Sequence, residues 1–311
     1  MTPREHISVA APATVANLTV GFDCLGLALE RPLERLDLRR TDTPGVTIAA
    51  VHGCDGLPLD PSRNVSGKAA QSVLQSLGAN WGVELTIHKA VLPGSGIGSS
   101  AASAASAAFG VAALAGAELK PHELLPLALD GEQIASGARH ADNVAPALFG
   151  GLCLCTPDGR IDHLPAPDWH LTVVHPQTVI KTAEARAVLP YHVPMKDALH
   201  QMAQLGHFVH CCHTGDATEA AFALQDVLAE PHRIPLQPHF KEVQAAAMNA
   251  GARAGGVSGS GPSSYWISFD NTTAKAIGQA ISTVFLQQGL DHHVHVGRIA
   301  QRGAHILDTP A

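Results

Sequence analysis

The chain has 311 residues, 46% hydrophobic and 15% charged, enough for a sizeable core divided between two domains. A net charge of −7 gives no electrostatic footprint for nucleic acid or an acidic membrane, so neither is expected as a partner. No apolar run reaches the ~20 residues of a membrane span, and the opening Met1-Thr-Pro-Arg-Glu-His lacks a signal-peptide core, so a soluble cytoplasmic protein is expected. Cysteines at 24, 54, 153, 155, 211 and 212 form no C-x-x-C pair. Adjacent Cys211-Cys212 beside His213 suit one tetrahedral ion poorly, and reduced thiols are the simpler reading.

In chain order, Ile7 to Ala11 reads as a short strand running into a loop of small residues, 11–26, that carries Asn17 and Asp23. By its chemistry alone Asp23 is a turn-stabilising residue. Leu25 to Arg40 continues as strand, and Pro44-Gly45 marks a turn. Val65, Ala69, Val73 and Leu77 make one stripe of an amphipathic helix whose natural N-cap is Asn64. Val83, Leu85 and Ile87 alternate as in a strand, on which Lys89 reads as a solvated residue. PGSGIGSSAAS follows at 93–103, and then a run of Ala, Ser and small apolar residues to Gly116, a helix narrow enough to lie close to a sheet. Strand, glycine loop and helix start together bind phosphate, because the first helical amides have no carbonyl partners and the helix dipole is positive there. No Lys follows Gly98 as a Walker loop requires, and the third glycine comes one place too early for a dinucleotide fingerprint. Ser99 and Ser100 offer hydroxyls for capping or for a phosphate-bound metal.

Residues 121–137 read as a helix buried along Leu124, Leu127 and Ala128, with Glu132 near its end. His140, Asp142 and Asn143 form a cluster too polar for core packing, followed by an apolar turn to Gly151. Leu152 to Thr156 is a strand, and a division near 160 separates units 1–160 and 161–311. Beyond it come a strand at 169–175, a short helix at 181–190 with Arg186 as a surface charge, and helices at 195–213 and 216–229. The first of these is apolar at Leu199, Met202 and Leu205, the second at Ala221, Leu224 and Leu228. Arg233 sits in a proline-bounded loop, and 239–250 is a helix ended by Gly251. GGVSGSGPS at 255–263 is a second glycine loop between short strands, and it fails the nucleophile-elbow pattern because Ser260 stands where a glycine is needed. A helix at 272–288 and a strand at 294–299 close the chain.

The loop at 93–103 resembles the G-S-G-L-G-S-S-A-A motif of the GHMP kinase superfamily (galactose, homoserine, mevalonate and phosphomevalonate kinases), with Ile97 for Leu. APATVANLTVGFDCLG at 11–26 is similar to the first motif of its homoserine branch, departing at Val15, at Thr19-Val20 where that branch has Gly-Pro, and at Cys24. HADNVAPALFGG at 140–151 matches the branch's H-x-D-N-V-A-P-A-L-x-G-G, with Asn143 where mevalonate-type relatives carry an Asp base. TAEARAVLP at 182–190, EPHR at 230–233 and the loop at 255–263 match further family patterns, so the resemblance spans nearly the whole chain.

That resemblance implies an α+β, two-domain fold: an ATP-binding, ribosomal-S5-domain-2-like α/β unit and a substrate-closing, ferredoxin-like α+β unit. It implies phosphorylation of L-homoserine by ATP, in the synthesis of threonine, by a homodimer. ATP would meet Asn64, Lys89, Pro93, Gly94, Ser95, Gly96, Ile97, Gly98, Ser99, Ser100, Ala101, Ser258 and Gly259. Mg²⁺ would be held by Ser100 and Glu132. Asn17, Asp23, His140, Asn143, Arg186 and Arg233 would hold the amino acid, the two guanidiniums taking its carboxylate. Asn143, Arg186 and Glu132 would serve catalysis, but an amide has no useful proton affinity, so Asn143 is no base. The alternatives are a mevalonate- or shikimate-type substrate, or a nucleotide-binding relative without catalysis.

Overall fold

Alternating burial sets the first layer. In the computed structural model, which describes residues 3–137 and 139–307, six strands build most of a mixed sheet. They are β1 (His6–Ala16), β2 (Leu25–Thr41), β3 (Gly45–His52), β4 (Gly82–His88), β5 (Leu152–Cys155) and β6 (Ile161–Leu164). β1, β2, β4 and β3 lie side by side in that order, β3 and β4 in parallel, while β5 pairs with the other end of β2 and β6 with β5. Helices α1 (Val65–Ser76), α2 (Ser99–Leu114), α3 (Pro121–Ser136) and α4 (Ala141–Phe149) belong to this unit. Val9, Leu36, Leu38 and Leu85 from the strands join Val73, Val111, Leu124 and Val144 from the helices in its core. The small residues of α2 bring it close to the sheet: a Cβ on Gly110 would stand 2.7 Å from a methyl of Leu38.

The second sheet is antiparallel, built from β7 (His170–Pro176), β8 (Ala254–Val257), β9 (Ser264–Ser268) and β10 (His292–Arg298) in the order β10-β7-β9-β8. This is the split βαβ order of a ferredoxin-like unit. Its helices are α5 (Thr182–Ala187), α6 (Met195–Thr214), α7 (Ala217–Phe222), α8 (Glu230–Arg233), α9 (Phe240–Asn249) and α10 (Asn271–Gln287). Trp266, Phe240, Ile277 and Phe285 make a core on the α9–α10 side. Leu171, Val173 and Tyr265 on the opposite face share a core with Phe208 of α6 and with Leu18, Leu25 and Leu27 of the first unit. That shared core locks the cleft between the units. β6 lies in the first sheet, as does β11 (His305–Ile306), which returns to β1; the passage between sheets therefore falls after Leu164.

Four expectations need correction. β1 runs to Ala16, because its ladder with β2 resumes after an irregularity at Pro12–Thr14. The segment 141–149 is a helix rather than a polar cluster and turn, and Val144, Ala145 and Leu148 carry it into the core. The helix expected at 216–229 stops at Phe222. Leu199 and Met202 of α6 are exposed, at 56% and 67%. The buried side chain on that half of the helix is Gln201, which donates to the Val20 carbonyl at 2.7 Å and accepts from the Val227 amide at 3.1 Å.

Candidate active site

The glycine loop is built by backbone. Gly94, Gly96 and Gly98 have φ of 75°, 80° and 68°, a region that L side chains rarely adopt. A Cβ on Gly96 would also stand 2.5 Å from the Gly261 carbonyl oxygen. The first helical bond of α2 runs from Ala102 to Gly98 at 2.9 Å, which leaves the amides of Ser99, Ser100 and Ala101 without a helical acceptor. The second glycine loop clasps the first from the other domain. Ser258 Oγ donates to the Gly96 carbonyl at 2.7 Å, Ser263 Oγ to that of Ser95 at 2.6 Å, and the Gly259 amide to that of Ala16 at 3.2 Å.

This arrangement sorts the expected nucleotide residues. Ser95, Ile97, Ser258 and Ala101 are buried, and the Ser258 hydroxyl is occupied in shaping the loop. Ser99 Oγ donates to the Val91 carbonyl at 2.7 Å, so of the serine pair Ser100 has its hydroxyl at the cavity wall. Asn64 caps α1, accepting from the Ser66 and Gly67 amides at 3.0 and 3.3 Å and donating to the Pro58 carbonyl at 2.9 Å. Lys89 is not solvated. Its side chain is 2% exposed and pairs with Glu34 at 2.5 Å, with further bonds to the Ser99 carbonyl at 3.1 Å and Ser103 Oγ at 2.9 Å. These bonds tie α2 to the sheet. Glu34, fully buried on β2, was missed because the sequence shows it only as one charge among several on a long strand.

A cavity of about 560 Å³ runs from Asn64 past Pro93, Gly94 and Ser100 to Glu132, which is 4% exposed, and on to Arg186 and Arg233. At its far end Arg186 Nη2 donates to both oxygens of Asp23, each at 2.9 Å. Arg233 is 4% exposed, held by bonds from Nε to the Ala185 carbonyl at 3.2 Å and from Nη1 to that of Gly259 at 2.9 Å. The Phe22 ring lies 4.9 Å from the Arg233 guanidinium and 5.8 Å from that of Arg186, a shared platform that a sequence scan for polar groups passes over. Asn17 stitches the units together, its amide donating to the Gly259 carbonyl and accepting from the Asp23 amide, both at 3.0 Å. Left-handed backbone at Asn17, Leu18, Thr19 and Asp23 shapes this loop, and Thr19 bonds Tyr265 OH at 2.7 Å across the domains.

α4 supplies the third wall. Thr14 Oγ1 donates to Asn143 Oδ1 at 2.8 Å, which turns the amide NH₂ of Asn143 into the cavity as a donor. Burial lowers the pKa of His140, keeping the ring neutral, and its Nε2 has no partner. The cluster holding Asp142 was expected to be too polar for core packing; Asp142 is 3% exposed and has an Oδ1 without a partner. Burial first, and then the charge of Asp23, lift its carboxyl to about 7.

A glycine loop with unpaired amides, facing two guanidinium forks across one cleft, defines a small-molecule phosphotransferase. Family models agree: residues 64–151 match the GHMP kinases N-terminal domain and residues 208–286 the GHMP kinases C-terminal domain. The chain belongs to the GHMP kinase family. Among its relatives is the homoserine kinase of Xylella fastidiosa strain 9a5c, 40% identical over 98% of this chain and 95% of that protein. The homoserine kinase of Chlorobium phaeovibrioides is 40% identical over 96% of this chain and 98% of its own length. The crystal structure of homoserine kinase from Cytophaga hutchinsonii superposes with a TM-score of 0.95 at 36% identity, covering 99% of each chain. A mevalonate kinase from L. major shares the fold, at a TM-score of 0.71 and 15% identity over 96% of this chain and 97% of that one. Among the described residues no helix is long and apolar enough to cross a membrane.

Proposed function

We infer that the protein is a homoserine kinase, transferring the γ-phosphoryl group of ATP to the side-chain hydroxyl of L-homoserine, a step of threonine synthesis in the cytoplasm. The observation that carries this reading is the single cavity joining the amides of Ser99 to Ala101 to the Arg186 and Arg233 forks. ATP phosphates suit the glycine loop, because the backbone there offers donors to an anion with no side chain in the way. The Ser100 hydroxyl and the Glu132 carboxylate line the same stretch of wall and are hard oxygen donors of the kind Mg²⁺ takes alongside phosphate and water. When bound there, Mg²⁺ would neutralise developing phosphate charge. The second glycine loop sets the geometry of the first, which is how the C-terminal unit completes the nucleotide site.

At the other end, Arg186 uses only Nη2 on Asp23, which leaves Nη1 or Nε to donate one bond to a carboxylate that Arg233 also meets. Asn143, its oxygen occupied by Thr14, donates its NH₂ to the acceptor hydroxyl or the transferring phosphoryl group and takes no proton. Catalysis on this reading is positioning and charge neutralisation, with the hydroxyl proton passing to phosphate. An Asn143→Asp variant is expected to lose about tenfold in kcat, since a new anion would face phosphate; a gain in rate would restore a protein base. The exposed Met195, Leu199 and Met202 stripe of α6 supports a homodimer, which light scattering tests directly. The deciding experiment is ADP release with Mg²⁺-ATP and L-homoserine, L-threonine, mevalonate or shikimate. Turnover confined to L-homoserine is expected, and turnover of mevalonate or shikimate instead would overturn the assignment.

A further inference from the structure

We propose that the hydrogen bond between Thr19 and Tyr265 is a latch that holds the 17–23 loop in shape, and that both are positioning residues for the phosphoryl acceptor. This rests on the reading above for what the acceptor is. Neither residue lines the cavity, and both are buried, Thr19 at 3% and Tyr265 at 0% exposure. Asn17, Leu18 and Thr19 are three consecutive non-glycine residues with φ of 69°, 44° and 57°. That region is costly for an L side chain, most of all for a β-branched one such as Thr19. Backbone of this kind persists only where its surroundings over-determine it. The homoserine branch has Gly-Pro at 19–20, and a glycine takes such a φ freely. With Thr19-Val20 in their place, this chain must hold the same backbone by contacts.

Those contacts come from the second unit. Thr19 Oγ1 lies 2.7 Å from Tyr265 OH, and one residue on, the Val20 carbonyl accepts from Gln201 of α6 at 2.7 Å. The space around the latch has no slack: a Cβ on Gly256 would stand 2.2 Å from Glu230 Oε1 and 2.7 Å from Thr19 Oγ1. A slip of the loop would travel. The Asp23 amide donates to Asn17 Oδ1 at 3.0 Å, and the Asp23 carboxylate holds Arg186 Nη2 at 2.9 Å, so the shape of 17–19 sets where that guanidinium stands. Tyr265 follows Ser263 by two places. Ser263 braces the nucleotide loop at the Ser95 carbonyl, and Tyr265 braces the acceptor loop at Thr19. One stretch of chain thus supports both halves of the site through separate bonds, and the two can be broken separately.

The test is a double-mutant cycle read by ADP release, with melting temperatures alongside. Tyr265→Phe removes the hydroxyl and keeps the ring. The KM for L-homoserine is expected to rise about tenfold, the scale of one buried hydroxyl left unpaired, with the KM for ATP within about twofold of normal. Thr19→Val keeps a branched side chain on left-handed backbone without the hydroxyl, and should do the same. Thr19→Ser keeps the hydroxyl and should stay within about twofold of wild type. Thr19→Gly removes the strain that the latch opposes. Added to Tyr265→Phe, it should bring the homoserine KM back to within about threefold of wild type. A merely structural bond would lower the melting temperature of Tyr265→Phe and leave both KM values where they were, and that outcome overturns the proposal. So does an equal rise in both KM values, or a double variant no better than Tyr265→Phe alone. Each of these leaves the homoserine reading standing, because that reading fails only if the wild-type enzyme does not use homoserine. In that event the same cycle is run on the acceptor it does use.

Discussion

The two ends of the cavity are built on opposite principles. The nucleotide end comes mostly from one stretch of chain, 93–101, whose working groups are backbone amides, with side chains such as Ser99 and Ser258 turned inward to fix the loop. The amino-acid end is assembled from four separated segments, contributing Asn17 and Asp23, Asn143, Arg186 and Arg233, and its working groups are side chains. Phosphate is common to every substrate of such a fold and can be met by a fixed backbone. The acceptor must be told apart from other small molecules, which needs charges placed singly.

If the nucleotide end depends on what braces its backbone, the largest effect should come from the brace. Lys89→Met leaves Glu34 buried without its cation, and a loss of about 3–5 kcal/mol in stability is expected by urea unfolding. Where the variant still folds, the KM for ATP should rise more than that for homoserine. Gly96→Ala comes next. It places a Cβ against the Gly261 and Ser258 carbonyls at a left-handed φ of 80°, and kcat/KM for ATP should fall by at least about 100-fold in the ADP assay. Near-normal activity in Gly96→Ala would mean that the loop is softer than its contacts imply.

The same contrast explains what was legible in the sequence. Glycine spacing, the small-residue helix and the Asn64 cap are local, so their structural role can be read from a dozen residues. Arg186 and Arg233 were visible only through resemblance to a family, since nothing local separates them from surface charges. Asp142 was misplaced because 139–151 was read as a polar cluster followed by an apolar turn. As a helix, the same residues put Val144 and Leu148 in the core and Asp142 at the cavity. Lys89, just past the end of β4, and Glu34 on β2 lie 55 positions apart, and no periodicity announces that they meet. Leu199 and Met202 misled in the opposite sense, because apolar spacing on a helix does not say which face the rest of the chain will cover.

At the side-chain end, effects should be smaller and selective for one substrate. Arg233→Lys keeps the charge but has a single nitrogen, which cannot hold the Ala185 and Gly259 carbonyls and also reach a carboxylate as Nη2 can. The KM for homoserine should rise about 30-fold with that for ATP within about twofold of normal. An equal rise in both would show that the two ends are not energetically separate, and would implicate the bond from Arg233 to the second glycine loop.

Glu230 belongs to both ends and offers the finest test. It begins the short helix carrying Arg233, and it accepts the Val257 amide at 2.6 Å at the entrance to the second glycine loop. Burial raises its carboxyl pKa from 4.5 to about 7, and neighbouring Asp226 adds to the shift. The native state therefore holds this proton more tightly than the unfolded chain does. The resulting stability is fully present below about pH 4.5 and is lost as pH rises through about 7. Glu230→Gln keeps an acceptor for Val257 and carries no ionisation cost. It should change stability little at pH 5 and stabilise by about 1 kcal/mol at pH 8, against a linkage ceiling of about 3 kcal/mol. Thermal melts of both proteins across that range give the difference curve. A gap that widens toward high pH, with the KM values for ATP and homoserine unmoved, would place Glu230 in the frame between the two ends. A gap that stays flat would mean that the carboxylate is ionised in the native protein throughout, and that the bond from Val257 alone stabilises it.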